Sequence, residues 1–209
     1  MKSLIALLKT IYRGLTERNH HFPELVLNYE EYHKVSHVSP LSVLRVNLIS
    51  EWVEPFSKVL DVGCGEGFVM EYLSKTKHCK VIGIDVSSKA IETVQSKGFE
   101  GLVVDVDKEG LGLAEKRKYD YILFIEVLEH LKYPHKVLIE ACRHSRKGVI
   151  VTLPNTGYLY WRLQMIRGYF PRQSFTHLHF WSINDFYIFL KTVESSAFSS
   201  QDRLIYLRH

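Results

Sequence analysis

The sequence has few cysteines, with only Cys64, Cys79 and Cys142 among 209 residues. Their number is odd, they lie far apart, and no two of them form a CxxC pair. These spacings exclude a disulfide framework and a zinc site built from thiolates, and they fit a reducing compartment. Covalent cross-links are also unnecessary, because a chain of this length can bury a sizeable core.

The chain also lacks a strong net charge. Lys and Arg total 27 and Asp and Glu total 23, which gives a formal net charge of +4. A nucleic-acid partner is not indicated, because dedicated nucleic-acid binders usually carry a denser stripe of Lys and Arg. Hydrophobic residues make up 46% and charged residues 24% of the chain, which excludes wholesale disorder.

Long apolar runs are absent. The apolar run near the N-terminus ends at Lys9, and no small-residue cleavage pattern follows it. No other stretch approaches the length of a membrane-spanning helix. We therefore expect neither a signal peptide nor a transmembrane segment, and we expect a cytoplasmic protein.

The central part of the chain alternates between short apolar segments and amphipathic segments. Such alternation predicts a parallel sheet covered by helices on both faces, and right-handed crossovers make it doubly wound. The fold class is therefore α/β, with a mostly parallel sheet that is shortened at its C-terminal edge. The predicted strands are 59–62, 80–85, 101–105, 119–125, 148–153 and 204–207. The predicted helices are 68–74, 87–97, a largely helical segment 126–144 interrupted near Pro134, and 182–193.

Two segments lie outside this alternation. Residues 1–39 are expected to form a helix over 3–17 and a polar loop, as a lid or strut. We expect the helix to pack its apolar face on the main domain, and the alternative is a basic helix that touches a membrane surface. The main domain, 40–209, opens with a helix at Pro40 and carries an aromatic and basic insertion at 155–181.

A glycine-rich turn, VLDVGCGEG, follows the first predicted strand. In a doubly wound sheet, ligands bind beside this turn at the carboxyl ends of the strands. The turn lacks the GxxxxGK[ST] pattern of a phosphate loop, and Phe68 replaces the third glycine of the dinucleotide pattern. Glu66 would also lie unfavourably beside two phosphates. These departures favour a nucleoside without a phosphate chain.

Acidic residues accompany the strand ends. Asp85 follows the turn by about twenty residues, a position from which a carboxylate accepts both hydroxyls of a ribose. Asp105 is placed to accept from an adenine amino group. Asp61 lies below the turn, where we expect its carboxylate to accept backbone N–H groups and hold the turn.

Five segments in order, VLDVGCGEG, IGIDVS, VVDVD, YDYILFIEVLEHL and GVIVTLPN, resemble the motifs of class I S-adenosylmethionine-dependent methyltransferases. The resemblance covers about residues 58–155. It implies a Rossmann-like fold, S-adenosylmethionine as cofactor and methyl transfer as activity. It also implies a cofactor site in which glycines line the methionine part, acids bind the nucleoside, and the fourth strand forms the floor. The implied residues are Asp61, Gly63, Gly65, Asp85, Val86, Asp105, Val106, Ile125 and Glu126.

The segment after the fourth strand contains Glu126, Glu129 and His130. In a helix these residues occupy positions i, i+3 and i+4 and share one face. With His177 they could ligate a divalent metal, in a pairing that resembles small-RNA 3′-terminal 2′-O-methyltransferases and ubiquinone-pathway O-methyltransferases. We favour the alternative of a metal-free site, in which Glu126 and His130 hydrogen-bond locally. His130 is the predicted catalytic base and Glu126 the second candidate catalytic residue.

The C-terminal part shows a second resemblance. PNTG at 154–157, RLQ at 162–164, HL at 177–178 and INDF at 183–186 resemble MetW, a methyltransferase-fold family of methionine biosynthesis. This resemblance implies a helper of a homoserine acyltransferase that does not itself transfer a methyl group. The acidic and histidine set at 126–130 and the N-terminal extension depart from that family's pattern.

Three functions remain open from the sequence. The first is a methyltransferase that acts on a small-molecule acceptor beneath the insertion, walled by Tyr158, Tyr160 and Trp161. The second is a MetW-like helper or binding protein with a protein partner. The third is a metal-dependent RNA 2′-O-methyltransferase, which the mild net charge argues against.

Overall fold

Strands and helices alternate along most of the computed structural model, which describes residues 2–16, 40–112, 117–170, 174, 176–197 and 204–207. The predicted loop at 18–39 lies outside the described residues. The described strands are β1 (Lys58–Val62), β2 (Lys80–Asp85), β3 (Glu100–Val103), β4 (Tyr119–Ile125), β5 (Ser145–Thr152) and β6 (Leu204–Leu207). The described helices are α1 (Lys2–Thr16), α2 (Pro40–Trp52), α3 (Phe68–Lys77), α4 (Ser88–Ser96), α5 (Val106–Glu109), α6 (Pro134–His144), α7 (Leu159–Ile166) and α8 (Ile183–Ala197).

The described strands form one sheet in the order β3-β2-β1-β4-β5-β6. Each pair of neighbours is parallel. The chain order reverses between β1 and β4, which is the point where open α/β sheets bind ligands. The predicted doubly wound α/β fold is thereby confirmed. The C-terminal edge of the described sheet is β6, a strand of four residues.

Side chains of the buried strands alternate between two apolar clusters, because successive residues of a strand point to opposite faces. On one face Leu60 and Val62 belong to the cluster that α6 and α8 cover. On the other face Val59 and Val81 belong to the cluster that α2, α3 and α4 cover. Each fully buried side chain of this kind contributes about 1.5–3 kcal/mol. This burial holds the carboxyl ends of the strands in fixed register.

The connection after β4 differs from the prediction of a largely helical segment. Glu126 has a φ of 58°, and only Leu128–His130 forms a single 3-10 turn before α6 begins at Pro134. Pro134 therefore starts the helix and does not interrupt one, since a proline at the first helical position loses no helical hydrogen bond.

The N-terminal helix also departs in part from its prediction. α1 packs against α7, with the Gln164 side-chain nitrogen donating to the Gly14 carbonyl at 3.1 Å. Gly14 is buried because Leu163 occupies the space that a side chain would need. The helix thus packs on the main domain as predicted, but Leu8, Tyr12 and Leu15 of its apolar face are exposed and lie outside that contact. No helix among the residues with described positions is both long and apolar enough to cross a membrane.

Candidate functional site

The glycine turn is fixed at the carboxyl ends of β1 and β2. The backbone nitrogens of Gly63 and Cys64 donate to the Ile84 carbonyl at 2.8 and 3.1 Å. Gly63 has a φ of 69°, and a Cβ there would lie 2.5 Å from Val127. Only glycine satisfies both conditions without strain. The turn therefore lies directly against the connection that follows β4.

Asp85 is the acid that holds this turn. One carboxylate oxygen accepts from the Gly65 nitrogen at 2.8 Å, and the other accepts from the Ser87 nitrogen at 2.9 Å. A carboxylate has about four lone-pair sites, so these two bonds leave acceptor capacity on both oxygens. The predicted neighbour Val86 follows at the strand end and is exposed.

Asp61 does not have the predicted contacts. The nitrogens at 63 to 65 bond to Ile84 and Asp85, and among the described residues Asp61 Oδ2 has no hydrogen-bond partner. The prediction that Asp61 holds the turn is therefore wrong. Burial, and then the neighbouring charge of Asp85, raise the pKa of Asp61 to about 8. A buried carboxyl of this kind would be stabilised by an adjacent cationic group.

The end of β3 lies beside the end of β2, because the Val104 nitrogen donates to the Asp85 carbonyl at 2.9 Å. Asp105 then caps α5, accepting from the Asp107 nitrogen at 3.2 Å, and it pairs with Lys108 at 2.7 Å. Gly65, Asp85 and Asp105 thus share one edge of the sheet, with Val106 following. Their predicted roles toward a nucleoside remain predictions.

The end of β4 places Ile125 and Glu126 at the same edge. The Glu126 nitrogen donates to the Thr152 carbonyl at 3.1 Å, and Arg45 of α2 lies 3.5 Å from Glu126 Oε2. Glu126 Oε1 is buried and has no hydrogen-bond partner among the described residues. Burial raises the pKa of Glu126, while the Arg45 charge opposes that shift.

Glu129, His130 and His177 form a cluster beyond Val127. One potential ligand atom from each lies within 4.8 Å of the others. Glu129 is 1% exposed, and neither carboxylate oxygen has a hydrogen-bond partner in the described part of the chain. Burial, and then the charge of Glu126, raise the pKa of Glu129 to about 9.

Glu126 is not part of this cluster, which corrects the predicted set of four metal ligands. The prediction assumed one helix face for residues 126–130, but the left-handed backbone at Glu126 turns its side chain away from that face. The structure brings together the other three residues, including His177 from the insertion.

The two imidazoles are neutral at pH 7. His130 Nδ1 lies 3.2 Å from the Thr176 carbonyl, which can only accept, so Nδ1 carries the proton and Nε2 the lone pair. Burial lowers the pKa of His130. Burial, and then the neighbouring His130, lower the pKa of His177 to about 4. The 4.0 Å contact between His177 and Glu129 is therefore not an ion pair at neutral pH.

Backbone contacts hold the insertion on the connection after β4. The nitrogens of Leu178 and His179 donate to the Glu129 carbonyl at 2.8 and 3.1 Å. The His179 ring lies 2.9 Å from the Leu131 carbonyl and stacks on Trp181. These contacts fix the position of His177 relative to Glu129.

Two residues that contact the site were not identified from the sequence, and the contacts of two aromatic residues were not predicted from it. Arg45 and Thr176 contact Glu126 and His130, but neither belongs to a motif that local spacing could reveal. Tyr158 bonds to Thr10 of α1 at 3.1 Å, and Tyr160 lies under Arg13. These tyrosines therefore contact α1, and their predicted role as a wall for the acceptor remains a prediction.

The cluster has the composition of a divalent-cation site. A carboxylate and two neutral imidazoles suit zinc, manganese or iron, and catalytic metal sites often use three protein ligands with further positions open. The Thr176 carbonyl orients the His130 ring, as second-layer acceptors do for histidine ligands. The buried, unpartnered oxygens of Glu129 fit such a cation.

Comparison with known sequences gives a family and several relatives. The family described as methionine biosynthesis protein MetW matches residues 45–204. A ubiquinone biosynthesis O-methyltransferase of Hahella chejuensis is 31% identical over 123 residues, which cover 56% of this chain and 50% of that protein. The same-named protein of Nitrosomonas europaea is 33% identical over 124 residues, 56% of this chain and 51% of that protein. The chain thus spans about half the length of these curated relatives.

Comparison with solved structures supports the fold. A plantazolicin methyltransferase, solved with a pentazolic desmethylPZN analog and SAH, superposes with a TM-score of 0.60 at 16% identity. The match covers 92% of this chain and 78% of that chain. The chain has the class I methyltransferase fold, as the motif order predicts.

Proposed function

The chain belongs to the MetW family, which has the methyltransferase fold, and from its site and its O-methyltransferase relatives we propose that it is an S-adenosylmethionine-dependent methyltransferase acting on a hydroxyl oxygen of a small molecule. One observation carries the proposal. The glycine turn with Asp85 lies against Val127, and the buried cluster of Glu129, His130 and His177 follows directly. A nucleoside site thus adjoins a site able to hold an oxygen acceptor.

The residues at the first site fit S-adenosylmethionine, whose sulfonium supplies an activated methyl group. Asp85 retains lone pairs for ribose hydroxyls, and Asp61 Oδ2, which has no partner within the described residues, suits a cationic ammonium group. Asp105 and Val106 lie beside the adenine position, with Ile125 as the floor. The SAH bound by the plantazolicin methyltransferase supports this assignment.

At the second site we propose a divalent cation held by Glu129, His130 and His177. The metal-free interpretation accounts for Glu126, which pairs with Arg45, and for the Thr176 bond of His130. It does not account for a buried carboxyl group whose two oxygens both lack a partner among the described residues. A cation there would act as a Lewis acid that binds an acceptor hydroxyl and lowers its pKa.

The chain's own residues then serve mainly to position the reactants. Alignment of reacting groups contributes about 7–11 kcal/mol in favourable cases. His130, with its lone pair on Nε2, faces the acceptor as cation ligand or as general base. Glu126, held by Arg45, lies at the start of the segment that carries the cluster. The O-methyltransferase names of the relatives support an oxygen acceptor.

A methyl-transfer assay tests this proposal. The full chain is incubated with S-adenosylmethionine and a catechol, with Mn²⁺ or with a chelator, and S-adenosylhomocysteine is measured. We expect turnover that the chelator abolishes and that Glu129→Gln lowers at least about tenfold, as loss of a metal contact does. Glu92→Gln, an exposed carboxylate on α4, serves as the control and should leave turnover unchanged.

The outcomes separate the parts of the proposal. Turnover that is indifferent to the chelator would remove the cation and keep the methyltransferase. Methylation of an RNA 2′-hydroxyl but not of the catechol would show that the acceptor is RNA and not a small molecule. No turnover with any oxygen acceptor, by a chain that binds the cofactor, would overturn the enzyme assignment.

The second candidate function is a helper in methionine biosynthesis, which the family match over residues 45–204 favours. This function requires a protein partner. The test measures the rate of a homoserine acyltransferase with and without the chain, and a helper should raise that rate. Stimulation without methyl transfer would support the helper. For either function we propose a cytoplasmic location, since the three cysteines are buried thiols that form no disulfide among the described residues.

A further inference from the structure

The exposed side of α1 is apolar. Leu8 is 56% exposed, Tyr12 68% and Leu15 50%, and their spacing places them along one side of the helix. The opposite side carries Gly14, which lies against Leu163 of α7. The helix is therefore bound to the domain through a small residue, and its large apolar residues point away from the contact with α7.

The neighbouring helix α7 adds exposed apolar residues. Met165 is 45% exposed and Ile166 80%, and Phe170 follows at 59%. Two hydrogen bonds, Gln164 to the Gly14 carbonyl and Thr10 to Tyr158, join α7 and α1. We call these two helices the α1–α7 pair. Exposed apolar residues on two joined helices indicate a binding surface.

The two segments that form the α1–α7 pair carry charged residues of one sign, although Glu17 and Asp185 directly follow them in the chain. Neither residues 2–16 nor residues 155–184 contain an aspartate or glutamate, so all 23 acidic residues of the chain lie elsewhere. Lys9, Arg13 and Arg162 are exposed on the pair. A surface depression of about 340 Å³ is lined by Leu8, Lys9, Tyr12 and Arg13, which combines both properties.

This combination identifies the occupant. Protein interfaces carry a mixed polar rim, whereas helices that lie on anionic bilayers combine an apolar stripe with Lys and Arg. We propose that the α1–α7 pair docks on the surface of an anionic lipid bilayer, with Leu8, Tyr12 and Leu15 inserted at the headgroup boundary. The cations beside them meet the lipid phosphates. The inference does not depend on the proposed function.

Vesicle sedimentation tests the docking. The full chain is mixed with vesicles of phosphatidylglycerol and phosphatidylcholine, or of phosphatidylcholine alone, at 0.1 and 0.5 M KCl as approximate low and high salt. We expect binding to the anionic vesicles that weakens at high salt. Leu8→Ser should weaken it about tenfold through lost apolar burial. Lys9→Glu should weaken it at least about fivefold through lost attraction.

Matched controls lie on α8 and α3. Ile188 is 62% exposed and Lys75 is also exposed, so Ile188→Ser and Lys75→Glu should leave vesicle binding unchanged. Thermal unfolding of each variant checks that the fold is retained. Three results would overturn the proposal: no binding to anionic vesicles, equal loss in the controls, or a dimer in solution that Leu8→Ser dissociates.

Discussion

Two neighbouring regions at the carboxyl edge of the sheet differ in how their polar groups are satisfied. At the ends of β1 and β2, the turn nitrogens bond to the Ile84 carbonyl and to Asp85. After β4, Glu129 is buried with neither carboxylate oxygen bonded within the described residues. In the first region the described turn nitrogens find acceptors within the chain, whereas the second region leaves both oxygens of a buried carboxyl without a described partner.

This difference indicates that the first region mainly supports the fold and that the second region is built for binding or catalysis. A buried polar group without a partner costs about 1–3 kcal/mol, so Glu129 lowers the stability of the chain in the absence of a ligand. Natural sequences usually keep such conflicts only where function requires them. Asp61 is the exception in the first region, and its buried carboxyl oxygen lies where the cofactor's charge is expected.

The largest expected effect on stability comes from a variant that disturbs the contact between the two regions. Gly63→Ala combines a left-handed backbone with a Cβ placed 2.5 Å from Val127, and we expect a loss of about 3 kcal/mol in unfolding free energy. Gly98→Ala shares the positive φ but meets no atom within 4 Å, so it should cost only about 1 kcal/mol. Urea unfolding of both variants measures the difference. Equal losses would show that Val127 does not lock the turn.

A smaller effect of opposite sign is expected in the second region. Glu129→Met removes the unpartnered carboxylate at similar volume, and it should stabilise the metal-free protein by about 1–2 kcal/mol. The same variant should lose the rise in melting temperature that Mn²⁺ gives the unmodified chain. Destabilisation by Glu129→Met in the presence of a chelator would show that the carboxylate has a structural partner.

The third prediction concerns pH. The folded-state pKa of Asp61 is raised to about 8, so the folded chain retains a proton that the unfolded chain releases above pH 4. Stability should therefore fall as pH rises from about 4 to about 8. Between pH 6 and 8, Asp61→Asn should gain at least about 1 kcal/mol relative to the unmodified chain, or roughly 2–4 °C in melting temperature. Parallel melting curves at both pH values would contradict the raised pKa.

The sequence predicts most of the sheet because buried parallel strands are continuous apolar runs. β2, β4 and β6 have the bounds that the pattern indicates, and Ser87 caps α4 as predicted, accepting from the Ala90 nitrogen. The positions of Gly65, Asp85 and Asp105 follow from the same pattern, since parallel strands end at one edge. Their location at one edge can therefore be predicted without knowing any side-chain contact.

The remaining features depend on contacts between distant residues. No local pattern predicts a left-handed backbone at Glu126, because non-glycine residues rarely adopt it and tertiary contacts decide it. The sequence predicts that His177 approaches Glu129 only because both are metal-ligand types. In the structure, hydrogen bonds from the backbone nitrogens of Leu178 and His179 to Glu129 bring His177 there. The apolar pattern of α1 does not decide between packing on the domain and an outward face, because it is equally compatible with both, and from the sequence the second therefore stays an alternative.

Calorimetric titration of S-adenosylmethionine tests the central claim most directly, namely that the edge carrying Gly65 and Asp85 is a cofactor site. The account predicts a dissociation constant of about 1–100 μM, corresponding to roughly −8 to −5.5 kcal/mol. Asp85→Asn should weaken binding at least about tenfold, while the exposed control Glu92→Gln should not. A folded chain that takes up no S-adenosylmethionine, or that binds it equally well after Asp85→Asn, would contradict the account.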